Sequence, residues 1–189
     1  MVADPLCLYD CVPLAAGAEA IVITSAQNRL GGDRPLHIRS IGISFNHDHQ
    51  EGDGLSTGLE EVAAKLWEES GLGPAEIDVL SVYDDYPVMV LVQLEELGFI
   101  RNGDTAELLT GPGKGRPAVN TSGGMLSAGQ AGAGGGLHGL VECVRQLRGE
   151  RGDGQVARAR TAVASCSTIA LYRYGGCAAG TVLDRGPPR

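Results

Sequence analysis

Aromatic residues are scarce in this chain, at 4% of 189 residues with a single Trp, two Phe and five Tyr. A chain of this length can bury a sizeable core, so that core must be built mainly from Val, Leu, Ile and Ala. No apolar run approaches the roughly 20 residues that span a bilayer, and no basic segment followed by an apolar one opens the chain. Both absences point to a cytoplasmic protein without a membrane span. Positive charge is also short, with 15 Lys and Arg against 23 Asp and Glu and a net charge of -8. Nonspecific nucleic-acid binding needs a positive surface to displace counterions, so it is disfavoured. The cysteines are Cys7, Cys11, Cys143, Cys166 and Cys177, an odd count that points to reduced thiols. No second pair follows Cys7 and Cys11 at a zinc-ribbon spacing, and no metal is expected. Each cysteine is expected to be a small buried hydrophobe.

Glycine is what the chain has in plenty. Eleven of its 29 glycines lie between positions 111 and 139, so the backbone there must turn tightly or press against something that side chains would exclude. The stretch reads Asn120-Thr121-Ser122-Gly123-Gly124, then Gly129-Gln130-Ala131-Gly132, then Gly134-Gly135-Gly136 leading into a helix. Leu137, Leu140, Val141, Val144 and Leu147 recur at the helical period, with Glu142, Arg145 and Arg148 on the other face. Gly134, Gly136 and Gly139 satisfy G-x-G-x-x-G, but no strand feeds them and no acidic residue follows at the dinucleotide-binding distance. Gly113-Lys114 fails as a P-loop because Gly115 and Leu108 stand where Ser or Thr and the first glycine belong. His47-Asp48-His49 with Asp53 reads as a solvated turn rather than a metal site. His138 either faces the glycine loop or packs.

The remaining pattern alternates strand and helix. Strands are expected near 18–24, 36–45, 77–83, 161–167 and 177–183, with helices near 57–70, 87–97 and 134–148. Thr57-Gly58-Leu59-Glu60 reads as a capping box for the first helix, which stops at Gly71, and the second runs from Pro87 to Gly98. The expectation is an α/β domain over residues 1–184 with a mixed five-stranded sheet and helices packed on it, followed by a disordered tail at 185–189.

Several segments, in order, resemble the C-terminal half of thiolases. Asp10-Cys11-Val12-Pro13 with Gly17-Ala18-Glu19-Ala20 is similar to the family's D-x-x-P-x-x-x-G-A-x-A segment. The strand ending Tyr83-Asp84-Asp85-Tyr86 resembles the Asn-Glu-Ala-Phe of ketothiolases or the His-Asp-Cys-Phe of the sterol carrier protein X type. Leu94 to Phe99 resembles the lipid-transfer branch, and Asn120-x-x-Gly-Gly resembles the loop leading to Gly-His-Pro, with Gln130 in place of the histidine. The resemblance implies a thiolase-like half. The half that carries the nucleophilic cysteine is absent, so the chain is expected to be either a fragment or the second subunit of a split enzyme.

That histidine helps activate the cysteine thiol in thiolases, whereas glutamine does not titrate. Gln130 can still donate a hydrogen bond to a thioester oxygen. The combination implies carbon–carbon bond chemistry without an acyl-enzyme, as in the branch's retro-aldolases, which act on β-hydroxyacyl-CoA and work with an OB-fold, zinc-ribbon partner. Candidate catalytic residues are Tyr83, Tyr172, Tyr174, Gln130 and Cys166, because the final glycine loop aligns with either Tyr172 or Cys166 at the family's last cysteine. Packing is an equal reading of Tyr83. Asn120, Ser122, Gly123, Gly124, Gly129, Gly175 and Gly176 are candidates for substrate binding. A CoA thioester is then the substrate, and no bound cofactor is expected. The partner is an N-terminal thiolase half or a full thiolase-like chain, in an obligate heteromer or an oligomer. A thiolase or acyltransferase using the partner's cysteine, and a noncatalytic acyl-CoA-binding or scaffold subunit, remain open.

Overall fold

The computed structural model describes residues 1–28, 34–49, 51–52, 56–102, 104–106, 117–168 and 176–186. Five strands form one sheet in the order β1-β5-β4-β2-β3. They are β1 His37–Phe45, β2 Val79–Ser81, β3 Ala118–Val119, β4 Thr161–Thr168 and β5 Cys177–Asp184. β1 and β4 flank β5 antiparallel, while β2 runs parallel to both β4 and β3. The mixed five-stranded α/β architecture is therefore present, but one member of the sheet is not the expected one. Residues 18–24 form no strand, and Val22 and Ile23 are 78% and 71% exposed. Two residues directly before Asn120, Ala118 and Val119, occupy the sheet edge instead.

Helix α1, Leu59–Ser70, and helix α2, Pro87–Glu96, cover one face of the sheet. Leu59, Val62 and Leu66 meet Leu80, Val163 and Val182 there, and Leu94 and Leu97 close the layer. Trp67 and Phe99 join the two helices edge to face at 6.1 Å. Gly42 and Gly180 let α1 lie close on the strands, since a Cβ at Gly42 would stand 3.0 Å from Val62. The capping box expected at Thr57 is replaced. Gly58 is the N-cap with a φ of +83°, and Thr57 gives both its N–H (2.7 Å) and its hydroxyl to the carboxylate of Glu96 at the end of α2. This bond joins the two helix ends directly.

Helix α3, Gly124–Ala128, and helix α4, His138–Arg148, lie on the opposite face, with a 3-10 turn at Gly132–Leu137 feeding α4. Cys143 and Leu147 pack against Val79, Ala162 and Ala164. The burial of α4 differs from its sequence pattern. Glu142 points inward at 3% exposure, where it accepts the hydroxyl of Thr121 (2.5 Å), the amide of Gln146 (3.1 Å) and the guanidinium of Arg151 (2.9 Å). Leu137 is 41% exposed, and Leu140, Val141 and Val144 are only partly covered. β1 shows the same feature on this face, with Ile41, Ile43 and Phe45 at 63%, 58% and 67% exposure.

The cysteines are less buried than their residue type predicts. Only Cys143 is fully enclosed, while Cys11, Cys166 and Cys177 are half-buried and Cys7 is exposed. At the C-terminal end, Arg185 and Gly186 are tied to Arg160 and Asp184 by hydrogen bonds. Residues 187–189, like Asp53 of the His47 turn, lie outside the described residues. Among the described residues no helix is long and apolar enough to cross a membrane, and no group of three or more His, Cys, Asp or Glu gathers at metal-binding distance.

Candidate active site

β2 ends at Ser81 and hands the chain to Val82-Tyr83-Asp84, a segment held by three other parts of the protein. Asn120 Oδ1 accepts the Val82 N–H at 2.9 Å and lies 3.4 Å from the Ser81 hydroxyl. Gln93 of α2 is fully buried and clamps Tyr83 from behind. Its Nε2 donates to the carbonyls of Tyr83 (2.6 Å) and Met89 (2.9 Å), and its Oε1 accepts the Tyr83 N–H (3.2 Å) and the Ser165 hydroxyl (3.1 Å). A buried amide this fully bonded permits one local backbone arrangement. The phenol of Tyr83 is thus aimed by its backbone.

Asp84 caps α3, accepting the N–H groups of Met125 (2.7 Å) and Leu126 (3.3 Å). Carboxylates are favoured at such helix starts. Burial nevertheless holds its carboxyl above the usual range, against the pull of those two bonds, and burial does the same for Asp85. Gly124 lies directly over the carboxylate with a φ of +64°, and a Cβ there would collide with Asp84.

The glycine loop presses against the chain's own N-terminal segment. Ala15 N–H donates to the Gln130 carbonyl at 3.0 Å and Gln130 N–H to the Pro13 carbonyl at 2.8 Å. A Cβ at Gly129 would stand 2.6 Å from that of Ala15. This crossing turns the Gln130 side chain toward Tyr83, whose phenol oxygen accepts a hydrogen bond from Gln130 Nε2. Burial raises the phenol's pKa above its ordinary 10, the neighbouring Asp85, Cys166 and Asp84 raise it further, and the Gln130 bond alone opposes them. Tyr83 is therefore a protonated phenol at neutral pH, able to donate.

A cavity of about 400 Å³ opens beside this pair, between the start of α4 and the part of the sheet that α4 leaves bare. Tyr83, Cys166, Gly124, Met125, His138 and Ile41 are among its walls. Cys166 continues β4 among buried neighbours but is itself only half-buried. It reaches the cavity, and burial followed by the neighbouring Cys177 raises its thiol pKa, so it is a neutral thiol there.

The structure thus brings Tyr83, Gln130, Cys166 and Gly124 to one place. Ser122 sits one side chain away, bonded to His138. The Asn120 carbonyl oxygen is spent on β2, and Gly176 bonds the end of β1 through its carbonyl, 3.2 Å from the Asn46 N–H. Tyr172, Tyr174 and Gly175 lie outside the described residues. Sequence reasoning passed over Gln93 and Asp84 and left open whether His138 faces the glycine loop or packs. For Gln93 a signal existed, because it shares a helical face with buried Met89 and Leu97.

A mixed sheet with helices on both faces, a glycine loop crossing an N-terminal segment, and a cavity at the end of β2 together define a thiolase-type half. The thiolase C-terminal domain-like family matches residues 42–173, and the chain belongs to that family. It is 38% identical over 161 residues to the 17-hydroxy-3-oxo-4-pregnene-20-carboxyl-CoA lyase of Mycobacterium tuberculosis, covering 78% of this chain and 40% of that protein. It is 30% identical over 193 residues to the acetyl-CoA acetyltransferase of Methanothermobacter thermautotrophicus, covering 98% and 49%. Among solved structures, the Ltp2-ChsH2(DUF35) aldolase superposes with a TM-score of 0.74 at 25% identity, over 97% of this chain and 48% of that one. The chain spans half or less of the length of these relatives.

Proposed function

We propose that this chain forms part of a CoA-thioester carbon–carbon lyase of the aldolase type, completed by a second thiolase-like half. The observation that carries this reading is the Gln130–Tyr83 pair. An amide that cannot take a proton occupies the place of the thiolase histidine and is bonded to a phenol held in its protonated form. In retro-aldol cleavage a base removes the β-hydroxyl proton, the Cα–Cβ bond breaks as the β-carbonyl forms, and the electron pair passes to a thioester enolate. A neutral donor stabilises that enolate and then protonates Cα. Tyr83 is suited to donate, with Cys166, Tyr172 or Tyr174 in the second acid–base role. Ser122, Asn120 and the glycines 123, 124, 129, 175 and 176 are the proposed substrate-binding set.

The names of the relatives accord with a CoA-thioester substrate, and both lyase and aldolase occur among them. The bare apolar face supports the second half, since Ile41, Ile43 and Phe45 expose a patch larger than scattered surface residues explain. Residues 18–24 support it too, being a mostly apolar segment that joins no sheet among the described residues. An OB-fold, zinc-ribbon acyl-CoA-binding protein is a further proposed partner.

The test is reconstitution with a thiolase-type N-terminal half, followed by chromatography of a β-hydroxyacyl-CoA incubated with the complex. The expected products are a shortened acyl-CoA and a free carbonyl compound in equal amounts. CoA-dependent cleavage of a β-ketoacyl thioester would favour the acyltransferase reading, and binding without cleavage the scaffold.

A further inference from the structure

Three side chains outside the tyrosine–glutamine pair line up in a second hydrogen-bonded series. Ser122 Oγ lies 3.0 Å from His138 Nε2, and His138 Nδ1 lies 3.2 Å from Glu19 Oε1. They come from three separate places: the loop after β3, the first residue of α4, and the N-terminal segment that crosses the glycine loop. The His138 and Glu19 side chains are 21% and 28% exposed, so most of each is shielded from solvent. An ionised carboxylate only accepts hydrogen bonds, so Glu19 keeps the imidazole proton on Nδ1 and leaves the Nε2 lone pair facing the serine hydroxyl. The Gly124 N–H, 3.2 Å from Ser122 Oγ, steadies the oxygen from another side. His138 forms part of the cavity wall with the glycines 135, 136 and 139.

A nucleophile within hydrogen-bond reach of a base, with the base oriented by a third group, is the arrangement that activates a serine. We propose that Ser122 is an activated nucleophile toward acyl esters and thioesters, giving the chain a hydrolytic activity separate from carbon–carbon cleavage. Ser122 Oγ bonds to the acyl carbon as its proton passes to His138 Nε2. The carbon–sulfur or carbon–oxygen bond then breaks, and the leaving group takes that proton. Water attacks the acyl-serine, gives a proton to His138, and the released serine recovers it. The balance is ester or thioester plus water giving a carboxylic acid plus an alcohol or thiol. Only the choice of a thioester as natural substrate rests on the proposed lyase reading; the serine chemistry does not.

The test uses an alkyl fluorophosphonate on the full chain, read by intact mass and peptide mapping, alongside release of p-nitrophenol from p-nitrophenyl acetate. Neither probe contains CoA or depends on a partner half, so its outcome is distinct from that of the lyase assay. The expected result is one phosphonyl adduct on Ser122 and none in Ser122→Ala. Labelling should slow by roughly 10²-fold in His138→Gln, the scale of a lost general base, and by a smaller factor in Glu19→Gln, with thermal midpoints near wild type. An unlabelled Ser122 in folded wild-type protein would overturn the proposal. So would equal labelling rates in wild type and His138→Gln, since a serine that merely packs against histidine gains no reactivity from it.

Discussion

Gln130 donates its side-chain amide to the phenol oxygen of Tyr83, leaving the phenol's own hydrogen free to be given to a third group. The bond is the one influence that lowers the phenol pKa, against burial and three neighbouring groups that raise it. Tyr83→Phe keeps the ring and removes only that donor. Turnover of a β-hydroxyacyl-CoA by the assembled protein should fall by roughly 10²-fold, the usual scale of general acid catalysis, with little change in the thermal midpoint. Ultraviolet difference titration of wild type against Tyr83→Phe should show one phenol ionising above pH 10, and Gln130→Leu should move that step higher still. A Tyr83 step at or below pH 10 would contradict the assigned environment.

Gln93 matters for the same site without touching the cavity. Replacing it with Leu strips the Tyr83 N–H and carbonyl and the Ser165 hydroxyl of a buried partner at once. Each unsatisfied buried group costs about 1–3 kcal/mol before relaxation, so a loss of about 3 kcal/mol is expected in urea unfolding. Ser165→Ala, which removes only one of these bonds, should cost about 1 kcal/mol. Equal losses for the two variants would show that the clamp is not the source of the stability.

Cys143 provides an alkaline signature of the core. Its thiol is fully buried and pushed up to about 12 from an ordinary value near 9. Below pH 9 folded and unfolded chains both keep the proton, and the stability is intact. Between about 9 and about 12 the unfolded chain releases it while the folded chain does not, so unfolding gains as pH rises, by at most about 1.4 kcal/mol per pH unit for one proton. Cys143→Ala should flatten the decline of the urea midpoint between pH 9 and 10.5. Some slope should persist, because Tyr83, Cys166 and Cys177 are raised as well. An unchanged slope in the variant would refute the assignment.

How far the fold was legible depends on whether a residue answers to its neighbours in sequence or in space. Helices α1 and α2 were readable because apolar period and terminal glycines are local signals. The glycine loop was readable as a close approach, and the object approached is the segment at Pro13 to Ala18. The strand expected at 18–24 has the right composition but no partner among the described residues, and a strand exists only when paired. Glu142 was assigned to the outer face because charge is normally solvated. Thr121, Gln146 and Arg151 satisfy it inside instead; Gln146 is one helical turn on, but Thr121 and Arg151 lie at separations no helical period reveals. In the site, Tyr83 and Gln130 were legible by position in a motif. Glu19 reaching His138 was not, since 119 residues separate them.

The misplaced strand and the bare face of β1 make the same prediction about assembly. Val22 and Ile23 are exposed and no hydrogen bond holds them among the described residues, so Ile23→Pro should leave the chain's own unfolding midpoint unchanged. If residues 18–24 add a strand to the sheet of a thiolase-type partner half, proline removes a ladder donor and blocks the pairing. Association should then weaken by at least about tenfold, the effect of roughly 1.4 kcal/mol. Ile43→Lys tests the second contact, the bare face of β1, where the side chain is 58% exposed and substitution should change the isolated chain's stability by no more than about 0.5 kcal/mol. Burying that lysine at an apolar interface should abolish the complex in sedimentation and native mass spectrometry. Full-affinity association by both variants would mean that the partner docks elsewhere and that these apolar surfaces serve another contact.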